Sequence, residues 1–402
     1  METKLFTSAS DEAAELIKKG GLVAVPTETV YGLAADGTNA QAVEQIYEVK
    51  GRPTVKPLSL MVHGPEAIGE FCRDVPQAAY ELARRFWPGP LTIVLKAREH
   101  IPSIVLAGGS TVGLRCPDHP VTLELLKKTG KPFAAPSANP SGEASPKTAR
   151  QVIDYFDGKI EGVIDGGACG LGAESTIIDM SSKPYRILRQ GVLPREDIES
   201  ALEERLCVIG ITGGTGSGKT TALNTLKELG AEVLDCDRVY HEMLETDAQL
   251  LEAIEQRFPG TVSYGALDRK ELGSRVFSDP AALADLNSIT HKFIDMEIER
   301  RLRAYAMAGG ELAAIDAIEL FAGGQAKRCK KTLAVLADRE IRLERIMSRD
   351  GIDRDYAQKR IDAQRPDSYF IENCDYTLYN NGSQEGFAAR CRNLFKEIID
   401  NG

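Results

Sequence analysis

Aromatic residues are scarce: they make up 6% of the 402 positions and include one Trp. Without clustered aromatics, a base-stacking platform for single-stranded nucleic acid has little to be built from. No apolar run approaches the roughly 18 residues that a membrane helix needs. The N-terminal stretch lacks the apolar core of a signal peptide. The eight cysteines, at 72, 116, 169, 207, 236, 329, 374 and 391, include no C-x-x-C pair. They read as reduced thiols, not as a disulfide frame or a zinc site. These absences predict a soluble, cytoplasmic protein.

A basic excess is also missing. The net charge is −10. Residues 1–206 carry 23 Lys and Arg against 27 Asp and Glu, a net −4, and residues 207–402 carry 26 against 32, a net −6. Neither half has the balance of a protein that grips nucleic acid mainly through its phosphates, so no stable nucleic-acid binding is predicted. Low-complexity tracts and Gly/Ser-rich or Pro-rich linkers are absent too. At 402 residues the chain nevertheless exceeds what one hydrophobic core usually organises, so two domains are expected, 1–206 and 207–402.

What is present centres on Gly213-Gly214-Thr215-Gly216-Ser217-Gly218-Lys219-Thr220, which fits the phosphate-loop pattern G-x-x-x-x-G-K-[ST] without a mismatch. The apolar run 208–212 before it suits a buried strand. After it, Leu223, Leu226 and Leu229 fall at helical spacing. The glycines let backbone N–H groups turn inward on a phosphate, and the following helix N-terminus adds partial positive charge. Lys219 would reach the outer phosphates and the Thr220 hydroxyl would hold Mg²⁺.

In the first half, Ser10 caps a helix that Gly20-Gly21 ends, and 22–25 reads as a strand. A helix over 40–49 runs into a loop carrying Lys50, Arg52 and Lys56 between Gly51, Pro53 and Pro57. Three cations on a shaped loop suit a polyanion such as a triphosphate, although a solvated charged loop reads equally well. Further on, small polar clusters (FWPGPLT at 86–92, RCPDHP at 115–120, SANPSG at 137–142) tend to follow β-rich apolar runs. Hydroxyls and arginines at strand ends are typical of a ligand site on a rigid sheet. Trp87 and Tyr31 read as packing residues and His119 as a turn or surface residue.

Those clusters, with PTETVYGL at 26–33, KGRP and KPLSL over 50–60, EST at 174–176 and RQG at 189–191, occur in one order. In that order they closely resemble the YrdC-type threonylcarbamoyl-adenylate synthase family, over about residues 5–195. The resemblance implies a twisted α/β fold with a concave, positively charged cavity. It also implies the reaction of L-threonine, bicarbonate and ATP to threonylcarbamoyl-AMP and pyrophosphate, which feeds tRNA modification, with other tRNA threonylcarbamoylation proteins as partners. By matching position, the threonine side would be Thr27, Ser59, Arg115, Ala135 and Ser175. Arg115 would pair bidentately with the substrate carboxylate. The ATP side would be Lys50, Thr54, Thr111, Ser137, Ser145 and Arg189, with Asn139 as a further donor. Lys50 and Arg52 would act catalytically, offsetting phosphate charge.

A last amphipathic helix of this half is expected through 206. In the second half, 231–237 reads as a strand presenting Asp235 and Asp237 at its carboxyl end, the ligand edge of a parallel sheet; the pair could equally cap the next helix. Leu312–Asp316, 332–337 and Tyr376–Tyr379 read as further strands, with Asn380 just beyond the last. Arg342, Arg345 and Arg349 share a helical face, either solvated beside Glu340 and Glu344 or forming a lid over phosphate.

This layout, with LDCD at 234–237, RDG at 349–351 and AQ at 363–364, resembles dephospho-coenzyme A kinase over about 207–395. The resemblance implies a P-loop parallel α/β kinase domain with a helical lid, using ATP and Mg²⁺ on dephospho-CoA. Asp237 matches the family's general base, Asp235 and His291 would meet the acceptor, and Gly214 to Thr220, Arg345, Arg349 and Asn380 would hold ATP. His241, Lys292 and Ala322 depart from the family pattern. They bear on acceptor recognition more than on phosphate transfer. The expectation is a two-domain α/β enzyme with both activities. The alternative is an RNA-binding first half joined to a P-loop kinase of another small acceptor, such as a nucleoside.

Overall fold

The computed structural model describes residues 2–401. The chain divides into two compact units, one running to Leu202 and the other starting at Glu203, with Met307–Gly309 grouping with the first.

Among the described residues the first unit is built on a ten-stranded mixed sheet. In chain order its elements are β1 (Lys4–Phe6), α1 (Asp11–Lys18), β2 (Val23–Val25), β3 (Gly32–Asp36), α2 (Ala40–Lys50), β4 (Ser59–Met61), α3 (Ile68–Phe71), α4 (Gln77–Phe86), β5 (Leu91–Lys96) and β6 (Thr111–Arg115). They continue with α5 (Pro120–Thr129), β7 (Phe133–Ala134), α6 (Ala149–Phe156), β8 (Gly162–Ile164), β9 (Thr176–Asp179), β10 (Arg186–Arg189) and α7 (Arg195–Glu203). The sheet order is β1-β8-β2-β3-β7-β4-β6-β5-β9-β10. The local signals act as their chemistry dictates. Ser10 caps α1 by accepting from the Ala13 N–H at 3.1 Å. Ala13, Ala14 and Ile17 then pack on Val23, Val25 and Phe133 of the sheet and Leu125 and Leu126 of α5. Helix α2 reaches Lys50 and is closed by Gly51 in the left-handed region (φ +58°), where a side chain would be strained. Helix α7 stops at Glu203, short of the expected 206.

The second unit comprises β11 (Cys207–Thr212), α8 (Lys219–Glu228), β12 (Glu232–Asp235), α9 (Cys236–Thr246), α10 (Ala248–Arg257), the hairpin β13 (Val262–Ser263) and β14 (Ala266–Leu267), α11 (Arg269–Val276), α12 (Pro280–Met307) and β15 (Leu312–Asp316). Then follow β16 (Lys331–Leu336), α13 (Arg339–Asp350), α14 (Arg354–Asp362), α15 (Asp367–Asn373), β17 (Tyr376–Tyr379) and α16 (Gln384–Asp400). Its five-stranded sheet has the order β12-β15-β11-β16-β17, and every pairing is parallel. Strand β11 is central: the chain crosses to β12 and β15 on one side and to β16 and β17 on the other. The crevice beyond the carboxyl end of such a strand is where doubly wound sheets take ligands. One sheet face is covered by α8 and α16, with Leu226, Phe387, Cys391 and Phe395 packed on Ile209, Ile211, Leu333 and Val335. Phe395 is fully buried. Phe395→Ala is expected to cost about 3–5 kcal/mol, read as a shift of the second unit's transition in urea unfolding, with no shift for the first.

Among the described residues no helix is long and apolar enough to cross a membrane.

Candidate active sites

The first unit holds a cavity of about 190 Å³ whose lining includes Ser59, Arg115, Ala135, Ser175, Ser137 and Arg189, together with Arg52 and Glu174. The sheet brings these together. Ser59 opens β4 and pairs with Gly113 of β6, and Arg115 ends β6. Ser175 lies just before β9, and its hydroxyl is 2.9 Å from Thr92 Oγ1 on β5.

Arg115 is 7% exposed and already partnered. Nη2 donates to Glu28 Oε1 at 2.6 Å and to Thr29 Oγ1 at 2.8 Å, and Nε donates to Gly89 O at 3.3 Å. Nη1 alone has no hydrogen bond among the described residues. Of the two guanidinium nitrogens that a two-point grip on a carboxylate would use, one is therefore already bonded within the protein. Thr27 lies behind Arg115's partners: its hydroxyl is 2.9 Å from Thr29 Oγ1 and it is 1% exposed. Glu28 Oε2 accepts from the Asp118 N–H at 2.9 Å, which fixes the carboxylate.

Lys50 departs from its expected place on a cationic loop. It is the last residue of α2 and is buried. Its Nζ donates to the carbonyls of Ser137 and Asn139, tying the SANPSG loop to the helix. Burial pulls its ammonium down to about 8, and the neighbouring Arg52 charge adds to this. Arg52 stays on the loop, where Nη2 donates to Pro57 O at 3.0 Å. Asn139 donates to Pro140 O and Glu143 O, while its buried Oδ1 has no partner. Ser145 Oγ donates to Glu174 Oε1 at 3.3 Å. Thr54 is exposed on the loop and Thr111 starts β6. Neither is among the residues lining the cavity.

Three side chains differ in setting from their sequence reading or sharpen it. Tyr31 is buried, donates to Gly167 O at 2.7 Å, and still lines the cavity. Trp87 is a packing residue: its Nε1 donates to Leu91 O at 2.7 Å. His119 is half-buried at the cap of α5, with a buried Nδ1 that lacks a partner. Burial lowers its pKa.

The second unit's site sits at the carboxyl edge of its sheet. Gly213, Gly216 and Gly218 all have positive φ, at +137°, +80° and +94°. At Gly216 a Cβ would stand 2.9 Å from Arg342 O, and at Gly218 it would collide with the Asn380 amide. Only glycine fits this turn. Lys219 begins α8, donates to Gly213 O at 3.3 Å and lies 3.7 Å from Asp316 Oδ1. Thr220 is exposed in the same turn. Ser217 is buried with an unpartnered hydroxyl. A cradle whose buried hydroxyl lacks a partner suits an incoming phosphate oxygen.

The two aspartates differ in setting. Asp235 ends β12 and also caps α9, accepting from the Asp237 and Arg238 N–H groups at 3.0 and 3.1 Å. Asp237 belongs to the first turn of α9, not to the strand. It is exposed, and its carboxylate has no hydrogen bond or ion pair among the described residues. Sequence reasoning missed Asp316. Register sets it beside Asp235 on one side and Ile211 on the other. Its Oδ1 is buried without a hydrogen-bond partner, and burial raises its carboxyl to about 6 against the pull of Lys219. Gln364 was also missed as a contact: Oε1 accepts from the Thr215 N–H and Nε2 donates to Thr215 Oγ1, both at 2.9 Å.

The arginines divide. Arg342 is buried and donates to Thr215 O at 2.9 Å. Arg345 donates to Gly216 O and Ser217 O at 3.3 Å and to Asn380 O at 3.0 Å. Asn380 is buried, and its amide donates to Ser217 O at 3.0 Å. These groups brace the carbonyl side of the loop. Arg349 is exposed and pairs with Asp350 at 2.7 Å. His291 lies within α12, with no hydrogen bond or ion pair to the P-loop among the described residues.

A family model described as Telomere recombination, covering the Sua5, YciO and YrdC proteins, matches residues 15–191. A second, described as Dephospho-CoA kinase, matches 207–385. A threonylcarbamoyl-AMP synthase of Pyrococcus abyssi is 46% identical over 192 residues, covering 48% of this chain and 56% of that protein. The chain thus spans about half the length of that longer relative. A threonylcarbamoyl-AMP synthase of Marinobacter nauticus is 36% identical, covering 42% of this chain and 89% of its own length. A dephospho-CoA kinase of Syntrophotalea carbinolica is 37% identical, covering 45% of this chain and 86% of its own length. Both halves therefore match enzyme families, and the chain belongs to the threonylcarbamoyl-AMP synthase family through its first half and to the dephospho-CoA kinase family through its second.

Proposed function

We infer that the first unit condenses L-threonine, bicarbonate and ATP into threonylcarbamoyl-AMP with release of pyrophosphate, the activated product used to modify tRNA. The second unit moves the γ-phosphoryl group of ATP to the ribose 3′-hydroxyl of dephospho-CoA. The observation that carries this reading is that each unit offers its own phosphate-competent site: a cavity bounded by Arg52, Arg115 and Arg189, and a glycine turn with Lys219 and an unpartnered Ser217 hydroxyl.

In the first unit, Arg115 Nη1 would receive the threonine carboxylate, near Ser59, Ala135 and Ser175 with Thr27 behind. The ATP chain would lie toward Ser137, Asn139, Ser145 and Arg189. Lys50 and Arg52 would oppose the charge that grows as the α-phosphorus is attacked. Lys50 is held in a buried frame by two carbonyls, and Arg52 is held to the loop by Pro57 O. Thr54 and Thr111 would reach the nucleotide only if it extends past the cavity. Other tRNA threonylcarbamoylation proteins would be the partners that take up the product.

In the second unit, Lys219 would neutralise the outer phosphates, and Asp237, exposed and unpaired, would accept the acceptor hydroxyl's proton. Asp235 caps α9 through the Asp237 and Arg238 N–H groups, and so fixes the turn that carries Asp237. Arg345, Arg349 and Asn380 would support the nucleotide, and His291 the acceptor. Residues for Mg²⁺ fit: Asp316 Oδ1 is buried without a hydrogen-bond partner, 3.7 Å from Lys219 Nζ, and Thr220 adds a hydroxyl. Among the described residues no group of three or more His, Cys, Asp or Glu is placed to hold a metal ion by itself; such an ion would be held largely by substrate phosphates and water. When bound, the ion would offset charge on the β- and γ-phosphates.

Lys50 gives the synthase a pH signature. With its pKa near 8, it carries charge below that pH and loses it above. kcat/KM for ATP in pyrophosphate release is therefore expected to fall as pH rises through about 8, well below an ordinary lysine's range. A flat profile to pH 10 would contradict a charged role for Lys50. The assignment as a whole is tested by incubating the protein with ATP and Mg²⁺ and each substrate set separately, then reading product masses. Threonylcarbamoyl-AMP and coenzyme A are expected; absence of either removes that half of the reading.

A further inference from the structure

The first unit's cavity contains a carboxylate that the proposed reaction does not use. Glu174, on the loop before β9, is the acidic residue lining it among the described residues. Its Oε2 is in ion contact with Arg189 Nη1, and its Oε1 accepts from Ser145 Oγ. Arg189 is aimed by two further bonds, from Nε to Ser175 O at 3.0 Å and from Nη2 to Ser175 Oγ at 3.1 Å. The carboxylate also acts through space on Lys50 and Arg52, opposing the effect of their burial. So one anion stands where the cations and hydroxyls of the cavity's phosphate side converge.

We propose that Glu174 is a tethered anion that holds Arg189 in the ligand-free protein and must release it before a nucleoside triphosphate can bind. The side chains of the pair are 40% and 41% exposed, so the bond is weak and readily exchanged. A triphosphate brings more charge and more acceptor oxygens than a carboxylate does, so it wins the exchange. Left beside bound phosphates, Glu174 would repel them. When pyrophosphate leaves, the carboxylate returns to Arg189 and keeps the cavity's positive charge paired. Glu174 is thus a positioning residue that sets nucleotide affinity. The identity of the ligand rests on the adenylation reading, while the exchange itself requires only a polyphosphate.

The test is hydrogen–deuterium exchange on the full chain, following peptides over 137–145 and 186–191 during titration with ATP or with adenosine. These peptides report the first unit alone, so ATP on the P-loop does not interfere. In Glu174→Gln, which keeps the shape and removes the charge, half-saturation by ATP is expected to fall about fivefold, the size an exposed ion pair allows. Half-saturation by adenosine, which has no charge to exchange, is expected to stay the same. An unchanged or higher ATP half-saturation would overturn the proposal, because Glu174 would then be supporting Arg189 in the complex. An equal shift for adenosine would overturn it too, by pointing to a general change of structure. If ATP protects these peptides in the wild type but no pyrophosphate forms, the adenylation reading fails and the exchange stands.

Discussion

Lys219→Ala is expected to lower ADP formation from dephospho-CoA by about 10²- to 10³-fold, the scale seen when a preorganised group aimed at developing charge is removed. Lys219 is the first residue of α8, so its ammonium is added to the helix N-terminus and to the inward N–H groups of the loop. It is well enclosed, with a side chain 16% exposed, and lies 3.7 Å from Asp316. Arg342 and Arg345 donate to the carbonyls of Thr215, Gly216 and Ser217, whereas Lys219 donates to Gly213 O and is paired with Asp316. The alanine variant should still fold, because Asp316 can take up a proton when its neighbouring cation is gone. Pyrophosphate release by the first unit should be unchanged. Undiminished kinase turnover in the variant would remove the assignment of the second half.

Lys50→Ala is expected to reduce threonine- and bicarbonate-dependent pyrophosphate release by a similar factor, about 10²- to 10³-fold, with kinase activity intact. Two losses combine in it. A charge disappears from behind Ser137, which lines the cavity while Lys50 does not, and the carbonyls of Ser137 and Asn139 lose their shared donor. Lys50→Met removes charge and donor together but keeps the packing of a buried chain, so it separates both of these losses from the cavity that Ala leaves. If the ammonium and its loop bonds are the cause, the Met variant loses activity as the Ala variant does. If lost packing is the cause, Met retains activity that Ala loses. Loss of both enzymatic activities together would instead indicate misfolding.

How much of this was legible depended on how local the cause is. The P-loop was readable because its conformation is set by closely spaced glycines and a Lys-Thr ending, and the structure runs it from the end of β11 into the first turn of α8. Strands Leu312–Asp316 and Tyr376–Tyr379 were readable to the residue, since each is a short apolar run bounded by polar turn-formers. Asp316 was invisible as a site residue because a single Asp at a strand end carries no pattern. Its place beside Lys219 comes from β15 pairing between β12 and β11, which is non-local. The same holds for Glu28 and Glu174, whose partners Arg115 and Arg189 are brought to them by sheet register and loop folding. Lys50 was misplaced for another reason: Gly51 reads as the start of a loop, yet it closes the helix one residue after the lysine. The motif spacing could identify the families, but not which way the cations face.

The central claim is that this chain breaks ATP at two different phosphorus atoms in two separate sites, and phosphorus NMR of the intact protein with ATP and Mg²⁺ tests it most directly. With L-threonine and bicarbonate added, the spectrum should gain pyrophosphate and an adenylate signal of the acyl-phosphate (mixed anhydride) type, with no ADP above background. With dephospho-CoA added instead, it should gain ADP and a 3′-phosphomonoester, with no pyrophosphate. Release of the same phosphorus product under both conditions, or of ADP alone, would contradict the account.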